Sequence, residues 1–144
     1  MNKAQDRFGR AISIINRKAF MYFSYRLKHL SLGPGQQAYL MAIEPDEIIS
    51  QDELAQRLVV DKANVSRAVR GLEKLQYIRR ELSAKDNRKV ELQLTPRGLA
   101  AKKEIEVIAH EWITKLKEYV SEDEWDAAEQ ALERIAASLE GFYT

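Results

Sequence analysis

Apolar residues recur at helical spacing along most of this chain and switch to strict alternation in one short stretch. Over residues 3–29, Phe8, Ile12, Ile15, Ala19, Tyr22 and Phe23 return every three or four positions with Arg and Lys between them, which predicts a long amphipathic helix. Gly33-Pro34-Gly35 interrupts it and starts a second helix whose apolar positions are Tyr39, Leu40 and Ile43, ending near Pro45. Ser50-Gln51-Asp52-Glu53 is a helix-start signal. Ser50 caps the first turn, Glu53 reaches back to it, and Leu54, Ala55 and Leu58 face inward. After Val59-Val60, Asp61 caps a helix from about Lys62 to Gln76 with Val65, Val69, Leu72 and Leu75 inward. Val90, Leu92 and Leu94 then alternate with Glu91 and Gln93, the pattern of a half-buried strand. Its partner begins at Tyr77-Ile78, and the linking tip, Ser83 to Lys89, is expected to stay in solvent.

Thr95 caps the next helix, with Pro96 at its first position, and that helix runs to about Tyr119 through Ile105, Ile108, Trp112 and Leu116. Ser121 to Glu124 forms a further capping box. Trp125, Ala128, Leu132, Ile135, Leu139 and Phe142 follow at steps of three and four, a coiled-coil-like seam. The fold class expected is mainly α with a small β-hairpin wing: a winged helix-turn-helix flanked by N- and C-terminal helices. Two short helices with a tight link, the second basic outside and aliphatic inside, form the helix-turn-helix.

Charge sharpens this picture. The 144 residues sum to a formal +1, but residues 61–98 hold ten basic and five acidic side chains, a net +5. From residue 99 onward five basic face eleven acidic groups, a net −6. Such segregation points to a polyanion partner for the middle of the chain, because binding follows the local field and not the sum. The helix after Asp61 presents Lys62, Asn64, Ser66, Arg67 and Arg70, with Lys74 beyond. Arginine pairs bidentately with guanine and asparagine with adenine in the major groove of double-stranded DNA. The plainer alternative is a solvated helix face. A basic hairpin immediately downstream favours the DNA reading. At its tip, Lys85 and Arg88 flank Asp86, which lies close enough to orient the Arg88 guanidinium toward a minor groove. Asp86-Asn87 also simply favours a turn, and the two readings are compatible.

The run Asp86-Asn87-Arg88, then Val90, then Leu94-Thr95 with Gly98, resembles the signature of MarR-family transcriptional regulators. Leu54-Ala55, Val65-Ser66-Arg67 and Leu72-Glu73-Lys74-Leu75 are similar to that family's helix-turn-helix, and the likeness spans the whole chain. The resemblance implies a single domain over 1–144, with 34–98 as the winged-helix DNA-binding region and 1–31 and 99–144 as a helical dimerisation region. It implies a homodimer on palindromic operators, acting as a repressor. Arg88 would be the wing's minor-groove arginine, Asp86 its orienting partner, and Ser66 and Arg67 would lie at the DNA-facing end of the recognition helix. One departure is Gln76, where many members place glycine; a non-glycine there implies a different exit geometry between helix and strand without threatening the fold.

Dimerisation also follows from the apolar stripes Phe8/Ile12/Ile15 and Trp125/Leu132/Leu139/Phe142, which lie outside a DNA-reading core able to fill itself. The alternative is that these helices pack within one chain. Family members often bind small anionic aromatic or phenolic compounds, and Arg17, Tyr22, Arg26 and Tyr39 are candidate contacts for one, though packing explains the tyrosines as well.

The remaining classes find little support. Without cysteine there is no thiol to sense peroxide, and His29 and His110, far apart, make a zinc site improbable. No cofactor is expected, and neither a phosphate loop nor a nucleophile–base spacing suggests an enzyme. No apolar run nears the ~20 residues that cross a bilayer, so a cytoplasmic chain without membrane contact is expected. The competing reading is a winged helix serving as a protein-interaction module.

Overall fold

A computed structural model describes residues 6–142. It contains α1 (Arg7–Arg26), a single 3-10 turn at Lys28–Leu30, α2 (Gln36–Ala42), β1 (Ile49–Ser50), α3 (Gln51–Leu58), α4 (Lys62–Lys74), β2 (Ile78–Leu82), β3 (Val90–Leu94), α5 (Pro96–Lys117) and α6 (Glu122–Ser138). The expected fold class is what the structure shows. The expected start of α1 at residue 3 lies outside the described residues. Two compact units are present, divided after Ala109 within α5. No described helix is long and apolar enough to cross a membrane.

The first unit is built on a core of Leu40, Ile43, Ile49, Leu54, Val65, Val69, Leu72, Ile78 and Leu92, joined by Ile105 and Ile108 of α5. All of these but Ile49 and Ile78 are inward positions that the helical and alternating periods pick out. The wing contains more than the hairpin expected. Its sheet has the order β1-β3-β2, antiparallel throughout, with Ile49 opposite Leu92 and Ile78 opposite Leu94. The two-residue β1 is too short to show alternation, yet it fixes the start of α3 to the wing.

Helix ends follow local chemistry. Pro45 disfavours helical backbone at Glu44, and the chain has already left α2 after Ala42, with Ile43 extended. Ser50 accepts from the Glu53 amide at 3.1 Å; among the described hydrogen bonds Glu53 does not return the contact, so this is half of the box expected. At α6 both halves form between Ser121 and Glu124. The helical period continues to Phe142 in the sequence, but α6 ends at Ser138, so Leu139 and Phe142 lie past the helix end. In that second unit Lys117 sits 5.3 Å from the Trp125 ring centroid, and no residue of α6 is buried.

The exit from α4 carries strain that the sequence marks. Gln76 takes a left-handed φ of 64°, the slot where glycine is at home. Its N–H donates to Glu73 O and the Tyr77 N–H to Leu72 O, the two bonds of a Schellman closure. A left-handed backbone costs a non-glycine residue about 1–2 kcal/mol, and glycine loses about 0.5–1 kcal/mol of that in unfolded-chain entropy. Gln76→Gly is therefore expected to raise stability by about 0.5–1 kcal/mol, read as a higher urea midpoint at unchanged m-value.

The C-terminus of α2 is closed by side chains from elsewhere. Arg57 Nη1 donates to Ala42 O at 2.7 Å while its guanidinium grips both Glu47 oxygens at 2.9 and 2.7 Å. That grip, helped by the Glu44 amide, holds the Glu47 carboxyl at about 2. A folded-state value below the unfolded one means that the stabilisation is complete above the ordinary carboxylate range and is lost as pH falls through about 2. Urea midpoints are expected to drop between pH 5 and pH 2, and Glu47→Gln to flatten part of that slope; an identical slope in the variant would exclude Glu47 as a source.

Candidate nucleic-acid interface

The basic helix α4 begins with Asp61, whose Oδ1 accepts from the Asn64 amide at 2.8 Å. Its second oxygen accepts from Asn64 Nδ2 at 2.7 Å, and Asn64 Oδ1 in turn accepts from Arg67 Nη2 at 2.5 Å. Lys62 pairs across the turn with Asp52 on α3 at 3.4 Å. Arg70 is exposed one turn beyond Ser66, and Ser66 itself is half-buried rather than largely outward.

The wing tip is built around two short side chains. Ser83 is buried at 4% exposure, contrary to the expectation that the whole tip stays in solvent. Its N–H donates to Lys89 O, closing the loop, and its Oγ accepts from the amides of Lys85 and Asp86. A small hydroxyl that satisfies two turn amides can be buried without loss, which a count of polar residues does not anticipate. Asp86 Oδ1 accepts from the Arg88 amide at 3.1 Å and from Arg88 Nε at 3.3 Å. The Arg88 side chain is otherwise 92% exposed. Lys85 is exposed beside it.

Wing and helix-turn-helix meet at the start of α3. Ser50, Gln51 and Asp52 line one cleft with Arg88, Lys89 and Val90. Since Asp52 also holds Lys62, one carboxylate borders cations of both elements. Asp52 stands out in the sequence only as a first-turn acid of α3; its double neighbourhood needs the tertiary fold.

Among the four ligand candidates, Tyr22 and Arg26 are paired with each other. Arg26 Nη1 donates to the Tyr22 hydroxyl at 2.7 Å, and its guanidinium lies 5.5 Å from that ring's centroid. Arg17 is exposed on the same helix. Tyr39 instead lines a cleft with Gly33, Pro34, Gln36, Asn64, Arg67 and Ala68. Burial pushes the Tyr39 hydroxyl up, Asp61 adds to this, and Arg67 opposes it.

The motif Leu94-Thr95-x-x-Gly98 has a packing reason. Thr95 Oγ1 donates to Gln76 O at 2.6 Å and accepts from the Gly98 amide at 2.9 Å, while the Thr95 amide donates to Tyr77 O at 3.1 Å. These bonds pin the start of α5 to the α4–β2 junction, so the wing is held at both roots.

A short helix pair, a three-stranded wing and a basic second helix define a winged helix-turn-helix protein. A model of the MarR family matches residues 34–89. The HTH-type transcriptional regulator SarZ of Staphylococcus haemolyticus (strain JCSC1435) is 24% identical over 125 residues, 87% of this chain and 84% of SarZ. A crystal structure of MarR is 30% identical, with a TM-score of 0.84 over 99% of this chain and 96% of that one. A crystal structure of the S. aureus MepR–DNA complex shares the fold at 23% identity, with a TM-score of 0.82 over 92% and 98% of the two chains. The chain belongs to the MarR family of transcriptional regulators.

Proposed function

We propose that this regulator binds a pseudo-palindromic duplex as a homodimer, with residues 62–70 in successive major grooves and Arg88 in the flanking minor grooves. The observation that carries this reading is the position of Asp52, which pairs with Lys62 of α4 at 3.4 Å and lines one cleft with Arg88 of the wing, so that helix and wing both adjoin the start of α3. Lys85 and Arg70, both exposed, add contacts to neighbouring phosphates in this reading, and Asp86 orients Arg88. MepR, which shares the fold, is itself seen on DNA.

The homodimer is supported by apolar side chains left in solvent. No residue of α1 is buried, and Phe8 is 60%, Ile12 41% and Ile15 48% exposed. On α6 Leu132 and Ile135 are each 44% exposed. Patches of this kind mark interfaces. Two-fold pairing sets the reading helices ~34–36 Å apart, one turn of duplex. The region 34–98 then reads DNA while 1–31 and 99–144 hold the partner within one MarR-type domain. Repression follows where the site overlaps a promoter. A small anionic aromatic ligand beside Tyr39 would compete with DNA for Arg67 and release it; Tyr22, Arg26 and Arg17 offer a second place for such a ligand. The protein works in the cytoplasm, without a cofactor.

The test is selection of a duplex from a randomised pool by the full chain, followed by affinity against salt. Releasing counterions from six to ten phosphates lowers affinity by roughly 10³–10⁵ between 50 and 200 mM salt. Arg88→Ala is expected to weaken the selected duplex by about tenfold or more while dimerisation and folding stay intact. A flat salt response with no selected sequence would favour a protein-interaction module.

A further inference from the structure

Asn64 is a candidate contact whose side-chain amide already holds a partner at each end within the protein. A bidentate grip on adenine needs both ends of the amide, one donating and one accepting. Here the Nδ2 end donates to Asp61 Oδ2 at 2.7 Å and the Oδ1 end accepts from Arg67 Nη2 at 2.5 Å. The partners fix which end is which. A carboxylate only accepts and a guanidinium only donates, so the reversed amide would set oxygen against oxygen and N–H against N–H. Asp61 is anchored in its turn, because its other oxygen caps α4 through the Asn64 amide at 2.8 Å.

We infer that Asp61 and Asn64 form a positioning relay that holds the Arg67 guanidinium in the direction from which it meets DNA, and that Asn64 itself reads no base. This rests on the proposed reading of α4 as the major-groove helix. The relay ties a long, otherwise mobile side chain to the first turn of its own helix through charge-assisted bonds at both ends, so its order is set before DNA arrives. Nη1, Nε and the second Nη2 hydrogen of Arg67 stay available for the duplex. The wing repeats the device in shorter form, with Asp86 holding Arg88. Tyr39 closes the other side of the cleft that Asn64 and Arg67 line.

A double-mutant cycle tests the relay on the duplex selected by the wild-type chain, with each base pair of the half-sites substituted in turn. Arg67→Ala is expected to reduce affinity ten- to a hundredfold and to flatten discrimination at one base pair. Asn64→Ala is expected to lose at least fivefold at that same base pair, and the double variant to bind no more than twofold weaker than Arg67→Ala alone. Asp61→Ser, which keeps a cap on the Asn64 amide and removes the brace on its side chain, should lose discrimination at the same position. Melting temperatures of the four variants separate these effects from folding. Multiplying losses, or an Asn64→Ala defect at a different base pair, would show Asn64 to be an independent reader and overturn the relay. Arg67→Ala with wild-type affinity for every duplex would instead overturn the major-groove reading beneath it.

Discussion

Replacing Gly98 by alanine is expected to destabilise the protein by about 3 kcal/mol or more. An added Cβ would stand 1.8 Å from Tyr77 O and 2.9 Å from the Tyr77 carbonyl carbon. Both are backbone atoms, so no rotamer change relieves the clash. Nor is Tyr77 free to retreat. It is 2% exposed, its hydroxyl donates to Leu30 O at 2.7 Å, its amide closes α4, and its carbonyl accepts from Thr95. The first turn of α5 must therefore slide away, and the Thr95 bonds to Gln76 and Tyr77 go with it. For a chain of about this length each kcal/mol lowers the melting temperature by roughly 2–4 °C, so a fall of about 6–12 °C is expected. Calorimetry on Gly98→Ala, with Gly9→Ala on α1 as a glycine control, decides the matter. At Gly9 the nearest atom to an added Cβ is Asp6 Oδ1 at 3.2 Å, the end of a side chain that can yield. Equal melting points for Gly98→Ala and the wild type would show that the α5 start tolerates displacement.

Elements governed by near neighbours in sequence are those the periodic reading captures. The caps at Ser50, Asp61, Thr95 and Ser121 each accept from the amide three residues ahead. The Asp86–Arg88 pair was legible for the same reason, since two residues of a turn separate them. At Gln76 the absence of glycine pointed to a different exit geometry, yet the backbone takes the glycine conformation because the Schellman bonds require it. What escaped was set at long range. Strand β1 exists because β3 offers Leu92 and Glu91 as partners some forty residues later. The pairing of Lys62 with Asp52 depends on how α3 crosses α4. The end of α6 escaped differently: the apolar period runs on to Phe142, while Gly141 at φ 79° leaves the helical region.

In the site the same division holds. The identities of the cationic residues were plain from charge counting, but their tethers were not. Arg67 and Asn64 look like two outward readers at i and i+3, and only geometry shows one bonded to the other. A hydrogen bond between two exposed polar residues on one helix competes with solvent and with DNA. Which partner wins depends on Asp61 behind them.

Lys102 is the furthest departure from local expectation, and its removal is the second large effect expected. Beside Lys103 on a helix it resembles any solvated lysine, yet it is 4% exposed. Its Nζ donates to Met41 O at 2.7 Å and to Ile43 O at 2.8 Å, while the Glu106 carboxylate stands 3.9 Å away. With Arg57 on Ala42 O, two cations thus satisfy three successive carbonyls at the end of α2, where the helix leaves its acceptors unpaired and its dipole negative. Lys102→Met keeps the length and removes the donors. Each stranded buried acceptor costs about 1–3 kcal/mol, partly offset by easier desolvation of an apolar tip, so a net loss of about 3 kcal/mol is expected. Lys102→Arg, which retains donors on a bulkier head, should lose less than Lys102→Met. Because the stability of a self-associating chain depends on its concentration, the three proteins are to be compared in urea at one concentration. Should Lys102→Met match or exceed the wild type, the end of α2 would be held by Arg57 and packing alone, and the buried amine would be only a tolerated cation.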